Sequence, residues 1–267
     1  MRRPLRRLRK ADLDAADIAT FRPRSAAASA ESIRWLVAPG RMPAGRRAYV
    51  IGDVHGARDS LQALHAEIRQ DLAERPTRTA VVIHLGDYID QGPDSAGVIR
   101  LLMRDPVPGA RLVTLLGDHE RMLLDALDGD RAAATDWLWA GGKVALESWG
   151  LDPDLPREDW ATALPAEQIA WLRGLPLSYR EGSYLFVHAG IRPGVDLDRQ
   201  SRDDLLTIRQ PFLSAEQPHE AVVVHGHSSV PAVAIQPNRI GLDTGAGMGG
   251  KLTCAVLEDD VVGLIAV

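Results

Sequence analysis

The chain has 267 residues, 45% hydrophobic and 25% charged, with a formal net charge of -5. Those proportions are ordinary for a packed globular protein and exclude wholesale disorder, while the negative balance excludes a general polyanion-binding surface. One cysteine, Cys254, excludes an internal disulfide framework and a multi-cysteine zinc site, and every apolar run falls short of the roughly 18 residues of a membrane span.

Residues 1–45 read as a basic, flexible N-terminal extension. They hold an arginine-rich start (Met1 to Lys10), a small-residue patch from Ser25 to Ala30 and a Pro/Gly segment from Pro39 to Pro43. The basic start leads into Ala11-Asp-Leu-Asp14, not into the apolar stretch of a secretory signal, so a cytoplasmic setting is expected.

From Ala48 onward, short apolar runs alternate with amphipathic segments. Ala48–Ile51, Ala80–Leu85 and Arg111–Leu116 read as buried strands, each followed by a Gly-Asp pair. Between them, Arg58–Glu74 and Asp94–Arg104 have helical spacing, with Leu61, Leu64 and Ile68 on one face. Residues 128–176 hold Trp137, Trp139, Trp149, Trp160 and Trp171 and read as a small helical insert with the tryptophans at its centre. The remainder is richer in strands: Tyr184–Val187, Ala221–Val224, Arg239–Asp243, Leu252–Leu257 and Val261–Ala266, the last two joined by a turn at Glu258-Asp-Asp260. This succession predicts an α/β fold, a β-sandwich flanked by helices, over residues 46–267.

The chemistry concentrates where strands end. Asp53 and His55 lie in Gly52-Asp-Val-His-Gly56, Asp87 and Asp90 in Gly86-Asp-Tyr-Ile-Asp-Gln-Gly92, and Asp118 and His119 in Gly117-Asp-His-Glu120. His188 opens His188-Ala-Gly190, and His225 and His227 bracket Gly226. Ligands of open α/β sheets gather outside the carboxyl ends of strands, so five strand ends would bring these groups to one edge. His65, His84 and His219 fall instead in a helix, a strand interior and a loop and read as structural. A carboxylate and imidazole set without thiolate suits two divalent ions, manganese first, with iron, zinc or magnesium as alternatives. Asp87 is central enough in the order to bridge them. A metal pair about 3.5–4 Å apart can hold a bridging hydroxide for in-line phosphoryl displacement.

Taken together and in this order, the motifs resemble those of PPP-type serine/threonine phosphatases within the calcineurin-like metallophosphoesterases, over roughly residues 47–267. The resemblance implies a dinuclear-metal phosphatase acting on phosphomonoesters, with phosphoserine or phosphothreonine proteins or small phosphoesters as partners and no nucleic acid. It assigns Asp53, His55 and Asp87 to a first metal, and Asp87, Asp118, His188 and His225 to a second, with His227 completing the first. His119 becomes the general acid, oriented by Asp90. Arg209, in Leu205-Leu-Thr-Ile-Arg209, becomes the phosphate clamp, with Arg58 or Arg192 as its neighbour. Two positions depart from the family pattern. Asp118 replaces an asparagine ligand and lowers the site's net charge; Gln91 replaces a phosphate-binding arginine and leaves a neutral donor.

Two alternatives stand beside this reading. A dinucleoside polyphosphate hydrolase of the diadenosine tetraphosphate type shares His188-Ala-Gly-Ile191, but typically lacks the acid at the Asp90 position and has aspartate where Glu120 stands. A metal-retaining binding protein with weakened catalysis is suggested by Asp118 and Gln91. The near P-loop from Gly245 to Lys251 is followed by Leu252, which offers no hydroxyl for magnesium, so nucleoside triphosphate binding there is rejected.

Overall fold

A computed structural model describes residue 33 and residues 35–267. The expected basic, flexible start therefore lies outside the described residues up to Glu31 and Ser32. Its later part is not an extension at all. Leu36–Val37 forms strand β1 against the C-terminal strand, and Met42 is 1% exposed and packs between the sheets. The packed body thus begins about ten residues before the expected boundary, because Leu36 and Met42 supply apolar surface to the core.

Strand β2 (Arg46–Ile51), helix α1 (Arg58–Glu74), strand β3 (Thr79–His84), helix α2 (Ser95–Leu102) and strand β4 (Arg111–Thr114) form two parallel crossover units. Helix α3 (Asp118–Leu127) follows, then an insert of α4 (Arg131–Trp137), a π-helical turn at Leu138–Gly142, α5 (Lys143–Ser148), α6 (Arg157–Ala163) and α7 (Ala166–Arg173). Strands β5 (Ser178–Glu181) and β6 (Tyr184–Val187), helix α8 (Arg202–Thr207), and strands β7 (Val222–His225), β8 (Ala234–Ile235) and β9 (Arg239–Gly241) lead to the hairpin β10 (Thr253–Glu258) and β11 (Val261–Ala266). One sheet runs β1-β11-β10-β2-β3-β4 and the other β5-β6-β7-β9-β8.

Alternation along β2 explains the layers. Ala48 and Val50 point into the space between the sheets, with Ile83, Phe186, Val224, Ile240 and Leu257. Tyr49 and Ile51 point the other way, onto Leu61, Leu64 and Ile68 of α1 and Val98 and Ile99 of α2. On the outer face of the second sheet, Leu185 and Val187 pack with Leu205 and Phe212. Sandwich and helices match the sequence expectation. The short strands β1, β5 and β8 were not foreseen.

Two of the structural histidines make an unusual pair. His65 Nε2 and His84 Nε2 lie 2.9 Å apart, and neither Nδ1 has a hydrogen-bond partner among the described residues. Burial and the nearby Arg69 push His65 down to about 4; burial and His65 push His84 down as well. In the unfolded chain both titrate near 6.5, so the unfolded state takes up protons first as pH falls. This contribution to stability is intact above pH 6.5 and is lost between 6.5 and about 4. Urea denaturation at pH 7.5 and 5.5 should show a loss of about 1–3 kcal/mol that a His65→Leu, His84→Leu double variant lacks. Equal pH dependence in the two proteins would assign the effect elsewhere.

Candidate active site

The strands deliver their loops to one edge because their last residues are in register. Ile51, His84 and Thr114 pair side by side at the ends of β2, β3 and β4. On the second sheet, His225 of β7 pairs with Gly241 of β9. The two sheets meet at Gly226, where a Cβ would lie 1.9 Å from Asp53 Oδ1; only glycine leaves room for that carboxylate.

Among the described residues, six non-glycine residues have positive φ. Five of them are His55, Asp87, Asp90, Gln91 and His227; the sixth, Asp259, is in the β10–β11 turn. Such backbone costs on the order of 1 kcal/mol or more per residue and persists where surrounding structure enforces it. Here the enforcement is visible. The Glu120 carboxylate, 0% exposed, accepts the N–H groups of Asp87 (2.9 Å), Tyr88 (2.7 Å), Ile89 (3.2 Å) and Gly117 (3.0 Å). It therefore holds the β3–α2 loop against the start of α3.

Two groups of donors result. Atoms of Asp87, Asp118, His188 and His227 all lie within 4.8 Å of one another, and so do atoms of His55, Asp87 and His119. Asp87 belongs to both, with Oδ1 3.4 Å from His188 Nε2 and Oδ2 3.4 Å from His55 Nε2. Asp118 Oδ1 lies 2.8 Å from His188 Nε2 and 3.0 Å from His227 Nδ1. The other nitrogens of His188 and His55 face the carbonyls of Leu85 (3.0 Å) and Ile89 (2.9 Å), which fixes the ring orientations. Asp53 Oδ2 accepts the His227 N–H at 2.8 Å, yet its Oδ1 and His227 Nε2 are buried without a partner among the described residues. An unpaired buried carboxylate oxygen is costly unless a cation takes it, so this donor set fits divalent metals.

His225 is outside both groups. Its Nδ1 faces the Gly226 carbonyl at 3.0 Å, and its ring stands edge-on to Phe212. Burial lowers it to about 4 and keeps it neutral. The expectation of His225 beside Asp118 is corrected: His227 stands there, because the chain leaves β7 and turns left-handed at His227 (φ 59).

His119 Nδ1 lies 2.6 Å from Asp90 Oδ2, and Asp90 is fully buried. Burial opposes charge on His119, but Asp87, Asp90 and Asp118 outweigh it and push the imidazole up to about 10. Burial raises Asp90 to about 6 despite His119. For Asp118, burial is outweighed by its bonds to His188 and His227, which hold its carboxyl far below the usual range. Asp53 goes up, through burial and the buried Asp243 nearby. Dications would compete with these protons for the same atoms.

Gln91 lies half-buried at the site, with Oε1 unpartnered among the described residues. Arg209 is exposed just past α8, whose Leu205 carbonyl accepts the N–H of Ala189, next to His188. Arg58 is engaged with Asp94 and Arg192 with Asp204, both at the surface. Sequence reasoning missed Trp137, whose indole N–H donates to Asp90 Oδ1 at 3.0 Å. Glu120 reads in the sequence as a family marker and not as the loop's anchor; the one local signal is a glutamate three residues into the helix after Gly117, placed to accept that glycine's N–H. The insert's tryptophans split: Trp137 and Trp160 are buried, but Trp139 is 87% exposed.

Residues 46–265 match the calcineurin-like phosphoesterase family, and the chain belongs to it. It is 28% identical to serine/threonine-protein phosphatase 1 of Salmonella typhimurium over 235 residues, which cover 80% of this chain and 93% of that protein. It is 33% identical to the symmetrical bis(5'-nucleosyl)-tetraphosphatase of Dechloromonas aromatica over 145 residues, 54% of this chain but only 44% of that enzyme. A crystal structure provisionally assigned as a diadenosine tetraphosphatase has the same fold, with a TM-score of 0.60 at 24% identity, covering 82% of this chain and 93% of that one. Among the described residues no helix is long and apolar enough to cross a membrane.

Proposed function

We propose that the protein is a metal-dependent phosphatase for phosphomonoesters, protein phosphoserine and phosphothreonine among them. The observation that carries this reading is the buried Asp90–His119 pair, a proton donor held beside the metal-ligating groups. Asp53, His55 and Asp87 would hold one cation, and Asp87, Asp118, His188 and His227 the other. Cations so held supply charge against the phosphate and activate water as the nucleophile.

The chain's own groups do the rest. Arg209 and Gln91 bind and orient the phosphate oxygens, the first through its charge and the second through its amide N–H. As the water oxygen bonds to phosphorus, the bond from phosphorus to the ester oxygen breaks and its electron pair stays on that oxygen. His119 gives it a proton from Nε2, releasing the alcohol and inorganic phosphate. Asp90, accepting from Nδ1–H, holds the ring as an imidazolium and orients it, so that Nε2 carries the proton to be given.

The dinucleotide-hydrolase reading has its own support in the tetraphosphatase relatives. A nucleotide leaving group departs as a phosphate and needs little help from an acid, so the His119–Asp90 pair favours a monoester with a poor leaving group. The test is turnover of a phosphoserine peptide, p-nitrophenyl phosphate and diadenosine tetraphosphate by protein stripped with chelator, with manganese restored in one arm. Manganese-dependent hydrolysis of both monoesters, at kcat/KM at least about tenfold above the dinucleotide, is expected. The reverse preference would overturn the proposal. Metal binding without turnover of any of the three would favour the binding-protein reading.

A further inference from the structure

We propose that Trp137 is a positioning residue for proton delivery, the third member of a Trp137–Asp90–His119 relay supplied by the helical insert; this rests on the phosphomonoester reading above. Asp90 and His119 come from loops at the sheet edge. Trp137 comes from the last turn of α4, 47 residues beyond Asp90. Its indole N–H reaches Asp90 Oδ1 at 3.0 Å while Asp90 Oδ2 faces His119 Nδ1 at 2.6 Å. Both oxygens of a fully buried carboxylate are thereby committed, one to each partner, and the plane of the carboxylate is fixed. Without the indole donor, Oδ1 would be buried without that partner, and the carboxylate could rotate away from His119.

The insert is built to hold that indole in place. Trp160 of α6 stands edge-on to it, with ring centroids 5.0 Å apart. The π-helical turn then folds back over it. A Cβ at Gly142 would lie 2.6 Å from the Trp137 ring. A Cβ at Gly141, which has φ 116, would lie 2.6 Å from the backbone nitrogen of Gln91. The insert therefore seats against residues 90 and 91 both through the indole and through this turn. A tryptophan serving only as core would need neither its N–H aimed at a carboxylate nor the two adjacent glycines.

The test replaces Trp137 with β-(3-benzothienyl)alanine, which keeps the bicyclic ring and puts sulfur where the N–H was, alongside Trp137→Phe. Phenyl phosphate needs its leaving oxygen protonated; p-nitrophenyl phosphate needs this far less. The isostere should lower kcat for phenyl phosphate at least about tenfold more than for p-nitrophenyl phosphate, with KM little changed, and should add nothing in an Asp90→Asn background. Independently of turnover, the downfield proton resonance of His119 Nδ1–H should shift in the isostere. Equal losses on the two substrates with an unmoved resonance would overturn the relay and make Trp137 structural. A wild-type protein inert on both monoesters would count against the phosphomonoester reading, while the resonance still judges whether Trp137 positions His119.

Discussion

Asp87→Asn is expected to abolish binding of the two proposed metals and to cut turnover by about a thousandfold or more. Asp87 is the one carboxylate present in both donor groups, with one oxygen toward His188 and the other toward His55. Asparagine keeps the shape and tolerates the left-handed backbone at this position (φ 53), so the loop should survive. What changes is charge: one fewer negative group among the donors proposed to hold two dications. Losing several kcal/mol of charge stabilisation corresponds to three or more decades in rate. Metal content by plasma spectrometry, read beside turnover of p-nitrophenyl phosphate, checks this. A variant that keeps two metals per chain and wild-type turnover would remove Asp87 from its shared role.

Glu120→Gln is expected to lower stability by about 3 kcal/mol and to weaken metal binding in parallel, although Glu120 belongs to neither donor group. Its Oε1 takes the N–H groups of Tyr88 and Ile89, and its Oε2 those of Asp87 and Gly117. An amide can face only one of these pairs with oxygen; its NH2 must confront the other pair, donor against donor. Two buried N–H groups are then unsatisfied, at about 1–3 kcal/mol each. For a chain of this size the melting temperature should fall by roughly 10 °C. The loop so loosened carries Asp87, Asp90 and Gln91, so affinity for manganese should fall with it. Unchanged melting and unchanged affinity would show that the loop's strained backbone is held by something else.

Much of the architecture is legible because the apolar runs stop abruptly at Gly-Asp or His-Gly pairs. Val50, Ile83 and Val224 announce buried strands, and the polar residues after them announce the edge at which the groups gather. The strands not foreseen, β1, β5 and β8, have two to four residues each and lie at or near sheet edges, where two-residue alternation has no room to show. The choice between His225 and His227 is unreadable for a different reason. Both flank Gly226, and the turn that sends one toward Asp118 and leaves the other against Phe212 is a backbone angle, not a residue type. Trp137 looked like any core tryptophan, since its bond to Asp90 joins an insert to a loop 47 positions earlier.

The order of strands in the first sheet has a consequence for how the protein comes into being. Strand β2, which leads into Asp53 and His55, pairs on one side with β3 but on the other with β10, made about 200 residues later in synthesis. Until β10 emerges, β2 has an open edge of unpaired N–H and C=O groups. The other half of that strand's pairing joins residues more than 200 positions apart, the kind of contact that forms slowly. A chain ending before Thr253 would thus carry every proposed ligand, yet lack the wall against which the first of them is set.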